Sequence, residues 1–203
     1  MKNNTSAKTN IITGMAVLTA IVVVLQWLAS VLPPVGTFHI NLVLTPIIVG
    51  AALYGAWAGG WLGFVFGVVV LLTDAGAFLA VDVLGTIVTC ILKGVLSGMA
   101  AGLVYRLASK KSVLLATILG GICAAVVNTG VFLLGCCVFF YDTVAAWGAA
   151  VGFENTAVYM LVGFVGLNFV VELGVNLVLS SATTRIVTLR QKSEGGMSCA
   201  AGH

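Results

Sequence analysis

The chain contains 203 residues with a net charge of +3; 61 % of its residues are hydrophobic and 7 % are charged. An ordinary soluble domain has roughly a quarter of its residues charged, so this composition is typical of a protein embedded in a lipid bilayer. Apolar runs use almost the whole length and leave no room for a soluble catalytic domain, and no basic patch indicates a nucleic-acid partner.

Five apolar segments follow one another along the chain, at residues 11–32, 40–73, 83–107, 113–140 and 156–187. The first resembles a signal peptide because Lys2 and Lys8 precede it, but it exceeds the ~7–15 residues of a signal core and is interpreted as a retained span. As one helix, the second would reach about 51 Å, well beyond a hydrocarbon core ~30 Å thick. It therefore predicts two short spans, with a hinge near residues 55–60.

Charged residues at the segment ends give a separate indication of the topology. With six spans, all the bases that flank the segments lie on one face of the membrane: Lys2, Lys8, Arg106, Lys110, Lys111, Arg185, Arg190 and Lys192. The loops on the opposite face then carry only acids: Asp74, Asp82, Asp142 and Glu154. By the positive-inside rule both termini are cytoplasmic, and a five-span chain would place one terminal cluster on the wrong face. We therefore expect an all-α membrane protein with six transmembrane helices, in which cytoplasmic tails of residues 1–10 and 190–203 flank a transmembrane domain of residues 11–189.

Small residues recur inside the spans, where they let helix backbones approach each other. Ordinary close packing explains most of the glycines. The first span also has Ala16 and Ala20 four residues apart, on one face near its cytoplasmic end. This face packs either on an internal neighbour or on a partner protein, and the residues alone leave both interpretations open.

Two charged residues, Lys93 and Glu172, lie deep in the apolar segments. A charge at the bilayer centre costs ~2.5–3.5 kcal/mol on insertion scales, so it usually faces water, a counter-charge or a ligand. Asn168, Glu172 and Asn176 recur every four residues and share one helical face, and Asn128 is expected at a depth near that of Lys93. One interpretation is a Lys93–Glu172 ion pair with asparagines linking the helices. The other is a ligand site, in which neutral amides and one ammonium fit a small organic anion.

Aromatic residues near the outer loop ends, Trp61 among them, can form the walls of such a pocket or anchor the chain at the membrane interface. No HExxH, GxSxG or GxxxxGK[ST] motif occurs, so we expect neither an enzyme nor ATP hydrolysis on this chain. The five cysteines form no CxxC pair and only two histidines are present, so neither a metal site nor another cofactor is expected.

Five stretches carry a resemblance to a known family: AVLTA (16–20), LVLTPIIVGAALYG (42–55), AGGWLG (58–63), LKGVLSGMAAGLVYR (92–106) and VVNTG (126–130). Together with the six-span plan and cytoplasmic termini, they resemble the substrate-capture (S) components of energy-coupling factor (ECF) transporters, the vitamin-uptake systems of prokaryotes. The resemblance covers residues 11–189 and implies an ECF S-component-like bundle. In that family, an AxxxA-type face of helix 1 packs on the energy-coupling transmembrane subunit, which connects to two cytosolic ATPases. Ala16 and Ala20 match this face.

The family holds its ligand in the outer half of the bundle, between the later helices and the loop joining helices 1 and 2. By resemblance to the branch with the pantothenate and riboflavin components, Lys93 and Asn128 fall where polar substrate contacts are expected. Asn168, Glu172 and Trp61 complete the predicted substrate-binding set, although Glu172 is not something that pantothenate needs and can instead neutralise Lys93 in the empty state. The N-terminal histidine motif of the nickel and cobalt members is absent.

The resemblance predicts the substrate-specific membrane subunit of an ECF-type ABC importer, with residues 11–189 as its substrate-binding domain. Pantothenate is the first candidate because its carboxylate suits Lys93. Riboflavin, or another vitamin or precursor, is the alternative substrate. A stand-alone small transporter or channel and an intramembrane enzyme are more remote alternatives.

Overall fold

The computed structural model describes the backbone of residues 2–31 and 42–200, and the side chains of residues 9–31 and 42–190 apart from Phe164, Leu167 and Asn168. The described chain is almost entirely helical and contains no strand. Its elements are α1 (Lys2–Val31), α2 (Leu44–Tyr54), α3 (Ala56–Thr73), α4 (Gly76–Leu79), α5 (Val83–Ala108), α6 (Val113–Phe139), α7 (Tyr141–Ala150), α8 (Thr156–Val158), a π-helix (Tyr159–Phe164) and α9 (Gly166–Ala200).

Five of the described helices, α1, α3, α5, α6 and α9, are long and apolar enough to cross a membrane. This confirms the prediction of an all-α membrane protein. Helix α2 is apolar but has only 11 residues, which span about 16 Å of a hydrocarbon core ~30 Å thick. The count of six spans therefore stays a prediction, as does the division into tails and domain.

The predicted hinge in the second apolar segment is confirmed at Gly55. This residue separates α2 from α3 and has φ 93° and ψ 176°, a backbone conformation that residues with a Cβ rarely adopt. Its amide N–H donates to the carbonyl oxygen of Ala51 at 3.0 Å and so caps α2. Because the chain turns here, α3 begins beside the end of α2 and the two helices pack together.

Helices α3 and α5 pack backbone against backbone through facing glycines. A Cβ added to Gly63 would overlap the carbonyl oxygen of Gly94, and one added to Gly59 would overlap that of Gly98; the reverse substitutions would overlap in the same way. Small residues at such a crossing allow van der Waals packing to hold helices together in lipid. The antiparallel register that results fixes the position of Lys93, the residue next to Gly94.

The described charged residues at the two ends of the helix bundle have opposite signs. At one end, Tyr54 at the end of α2 contacts Gly14 of α1, and Ala56 at the start of α3 contacts Gly102 of α5. We call this the basic end, because it carries Arg106, Lys110, Lys111, Arg185 and Arg190. The opposite, acidic end carries Asp74, Asp82, Asp142 and Glu154. That the basic end faces the cytoplasm stays a prediction.

The acidic end contains two short helices, α4 and α7, that the apolar segments did not predict. It also carries a hydrogen bond that ties α1 to the chain after α3, in which Gln26 Nε2 donates to Asp74 Oδ2 at 2.6 Å. Gln26 is one of the few residues of α1 that are buried.

The last apolar segment, residues 156–187, is not one regular helix. A π-helix occupies Tyr159–Phe164, and α9 begins only at Gly166. A Cβ on Gly166 would overlap the carbonyl oxygen of Leu161, so the glycine permits the widened turn that precedes α9. Helices α1 and α9 also continue through the segments predicted as tails.

Candidate functional site

Lys93 lies inside the bundle between two aromatic rings. It is ten residues from the start of α5, or about 15 Å from the acidic end. Its ammonium Nζ lies 5.8 Å from the ring centroid of Phe66 on α3 and 5.1 Å from that of Phe132 on α6. The side chain is half-buried. Three helices therefore position this one cation, and it points into the bundle rather than into lipid.

The two rings offset much of the cost of placing Lys93 there, but they do not replace its hydrogen bonds. Two cation–π contacts together contribute about 1–4 kcal/mol, against about 2.5–3.5 kcal/mol for an ammonium near the bilayer centre on the most lenient scales. The three N–H donors of the ammonium have no hydrogen-bond acceptor among the described side chains, so this part of its hydration is not replaced. An aqueous pocket or an anionic ligand would supply it.

Asn128 lies one helical turn from Phe132 on the same face of α6, which brings it to the level of Lys93. Its side chain is 8 % exposed, and its Oδ1 has no hydrogen-bond partner among the described residues. A buried polar atom without a partner costs about 1–3 kcal/mol. Native proteins seldom retain such an atom unless a ligand, water or function accounts for it.

Glu172 and Asn176 continue this polar surface on α9. Glu172 is 2 % exposed and Asn176 is 6 % exposed. Within the described ranges, Glu172 Oε1 and both polar atoms of the Asn176 amide lack hydrogen-bond partners. Asn176 faces α6, since a Cβ on Gly121 would lie 3.6 Å from its Cβ. We call Asn128, Glu172 and Asn176 the polar column; it follows the contact between α6 and α9.

Lys93 and Glu172 form no direct ion pair in the part of the chain that the structure describes. Asn128 Oδ1 and both polar atoms of the Asn176 amide also make no hydrogen bond to a neighbouring described helix. The arrangement differs in these two respects from the structural interpretation that the sequence left open.

Aromatic rings close the site toward the acidic end. Phe78 of α4 makes edge-to-face contacts with Phe132 at 5.8 Å, Phe140 at 5.0 Å and Trp147 at 5.4 Å between ring centroids. Since Phe132 also contacts Lys93, this cluster is continuous with the ammonium's surroundings. The arrangement is a cation and a set of unpartnered amide and carboxyl groups, enclosed by apolar walls.

A comparison with protein families shows the kind of protein to which this site belongs. The family described as ECF transporter, substrate-specific component, matches residues 10–182. The chain belongs to this family. No curated protein and no solved structure matched the chain in the corresponding comparisons.

Family membership makes the chain a multi-pass cell-membrane protein and a substrate-binding transport subunit, not an enzyme. It also implies partnership with an energy-coupling membrane subunit and ATPases. Helix α1 carries Ala16 and Ala20, the two residues expected to face a partner subunit. Ala16 and Ala20 are exposed on α1; that they contact a partner stays a prediction.

Two predicted site residues are placed differently from the rest. Trp61 was expected near an outer loop end, but it lies in the first third of α3, which begins at the basic end because the chain turns at Gly55. Its indole Nε1 donates to Thr19 Oγ1 of α1 at 3.3 Å, and its side chain is 53 % exposed. The structure does not bring it to Lys93. Asn168 lies on α9, but its side chain falls outside the described residues.

Phe66 and Phe132 were not predicted as parts of the site. Phe132 follows Asn128 at the four-residue spacing of one helical face, and this spacing is the signal that indicates it. No local signal indicates Phe66, because its approach to Lys93 depends on how α3 and α5 pack.

Proposed function

We propose that this substrate-specific component binds a small, vitamin-like organic anion, with pantothenate as the first candidate. The ligand enters from the acidic end, which faces outward, and partner subunits drive its uptake with ATP. The observation that carries the proposal is Lys93: an ammonium inside the bundle, without a direct carboxylate partner and beside unpartnered polar atoms.

The chemistry of pantothenate matches the set of groups. A carboxylate on Lys93 would form a charge-assisted hydrogen bond, worth about 1.5–3 kcal/mol, and would replace the hydration that the two phenyl rings do not. The hydroxyl and amide groups of the same molecule are donors and acceptors for the polar column. Among vitamins, riboflavin is the alternative because the site has aromatic walls, but its uncharged ring system would leave Lys93 unneutralised.

Glu172 has a separate place in the proposal. It lies one turn from Asn176 on α9 and is buried. In the empty site it offsets the ammonium's charge, and in the occupied site it accepts a hydrogen bond from a ligand hydroxyl. Asn168 is proposed to contact the ligand one turn further toward the outer end.

Coupling to transport is proposed to use the exposed face of α1. Ala16 and Ala20 leave a shallow surface on which helices of the energy-coupling subunit can pack closely. That subunit connects the substrate-specific component to two cytosolic ATPases. The chain itself has no nucleotide-binding motif.

A neutral replacement at Lys93 tests the binding proposal. Lys93→Met keeps much of the side-chain volume, so the fold should persist while the dissociation constant for the anionic ligand rises by roughly ten- to hundredfold. Binding of a vitamin panel, pantothenate and riboflavin first, is measured together with the melting temperature in detergent. Lys110→Met is the matched control, since Lys110 is exposed at the basic end.

A double variant separates ligand binding from a structural ion pair. If Lys93 only neutralised Glu172, Lys93→Met would leave a buried carboxylate and lower the melting temperature, and adding Glu172→Gln would restore it. We expect the single variant to be stable and to bind poorly. A stable Lys93→Met protein with unchanged affinity for every panel member would contradict the proposal.

A further inference from the structure

A cavity lies at the basic end, away from Lys93 and the polar column. It measures about 350 Å³ and lies between α1, α2 and α9. Helix α2 contacts both α1 and α9 and forms the floor of the cavity. Nothing in the proposed vitamin site uses this space.

Each polar side chain of the lining can donate hydrogen bonds. The cavity is lined by Arg190 of α9, Tyr54 of α2, and Thr13 and Asn10 of α1. No acidic side chain is among its described lining residues. A guanidinium flanked by hydroxyl and amide donors suits a phosphate group, whose oxygens accept several hydrogen bonds at once.

The backbone of α1 makes room for one of these donors. A Cβ on Gly14 would overlap the hydroxyl oxygen of Tyr54, so only glycine at this position lets the tyrosine hydroxyl reach the cavity wall on α1. That hydroxyl makes no hydrogen bond to any described residue.

The rest of the lining is apolar and opens toward lipid. Val17 of α1 is 54 % exposed and Ile186 of α9 is 50 % exposed, and in a membrane these surfaces face hydrocarbon chains. The cavity thus joins a phosphate-compatible head to an apolar groove at the level where the described bases cluster. Leaflets rich in anionic lipid attract basic residues in this position.

We propose that this cavity binds one anionic phospholipid, with its phosphate on Arg190 and Tyr54 and an acyl chain along Val17 and Ile186. The bound lipid links α1, which is otherwise largely exposed, to α9 across α2. A ligand that binds only the folded bundle stabilises it. The proposal does not depend on which vitamin the other site takes.

The test is lipid retention by the purified full chain, measured by native mass spectrometry after exchange into vesicles of phosphatidylglycerol or phosphatidylcholine. We expect phosphatidylglycerol to be retained one per chain and phosphatidylcholine to be lost. Arg190→Gln should lower phosphatidylglycerol retention by about fivefold, from about 1 kcal/mol per base near the surface. Arg185→Gln, an exposed position on the same helix, should leave it unchanged.

A second variant keeps the test informative if Arg190→Gln does not fold. Tyr54→Phe removes one hydroxyl and should also weaken retention, with the far-ultraviolet circular dichroism unchanged. Equal losses in Arg185→Gln and Arg190→Gln would overturn the proposal, because they would indicate diffuse attraction. Displacement of the lipid by millimolar inorganic phosphate would overturn it in favour of a phosphate site. If Arg190→Gln or Tyr54→Phe retained phosphatidylglycerol normally but no longer assembled with the coupling subunit, the proposal would be wrong and the cavity would belong to the interface with that subunit.

Discussion

Gly63 offers the sharpest test of the helix packing that positions Lys93. In Gly63→Ala the new methyl would overlap the carbonyl oxygen of Gly94 and lie 2.6 Å from its carbonyl carbon. To bring the carbonyl carbon to an ordinary contact of 3.4 Å, the backbones of α3 and α5 must separate by at least about 0.8 Å, and the carbonyl oxygen, which lies nearer, requires more. Overpacking of this kind costs about 1–3 kcal/mol. For a chain of this size the melting temperature should fall by roughly 2–12 °C.

The same separation should weaken ligand binding. Phe66 lies one turn from Gly63 on α3, so moving α3 away from α5 withdraws its ring from the Lys93 ammonium, which now lies 5.8 Å from the ring centroid. Affinity for the anionic ligand and melting temperature should therefore decrease together. Both are measured on purified protein in the same detergent.

Gly174→Ala is the matched control for this substitution. Gly174 is also inside a long helix, but a Cβ there would have no heavy atom within 4 Å among the contacts considered. Alanine is the better helix former by about 1 kcal/mol, so this variant should melt at the same temperature as the native chain or higher. Equal melting temperatures for Gly63→Ala and Gly174→Ala would refute the backbone contact between α3 and α5.

Two further predictions concern the surface. Ala16→Trp should abolish assembly with the coupling subunit in co-purification, while the isolated protein binds its ligand normally. Ala182→Trp, at an exposed alanine of α9, should leave both assembly and ligand binding unchanged. Loss of binding together with assembly in Ala16→Trp would mean that Ala16 packs internally. An impermeant thiol reagent applied to whole cells should label cysteine placed at Asp142 and not at Lys110, in a chain whose native cysteines are replaced by serine, and the reverse pattern would overturn the orientation.

The sequence was sufficient for the long helices and for the hinge. Apolar runs of membrane-spanning length have few alternatives to helix in lipid, and the glycines at 55, 59 and 60 marked where the second run had to break. Local pattern was insufficient for α4, α7 and the π-helix. These elements depend on tertiary contacts, such as the packing of Phe78 on Phe140, which no helical periodicity encodes.

The polar residues of the candidate site could be predicted because burying a polar group in a membrane is costly. The apolar residues of the site could not, because burying them costs nothing. Lys93, Asn128 and Glu172 attract notice because a polar group in hydrocarbon needs a reason, and the structure places all three inside the bundle. Phe66 is one apolar residue among many, so its contact with Lys93 becomes visible only when α3 is packed on α5. Trp61 was expected near an outer loop end on its aromatic character alone, but that character does not show which helix an indole contacts, and here it contacts Thr19 of α1.

The most direct measurement compares pantothenate with its alcohol analogue, in which a hydroxymethyl group replaces the carboxylate. Titration calorimetry on the native chain and on Lys93→Met gives four dissociation constants. We predict that the native chain prefers pantothenate by about ten- to hundredfold and that Lys93→Met shows no preference. An equal preference in both proteins, or no binding of pantothenate to the native chain, would contradict the assignment of the ligand's carboxylate to Lys93.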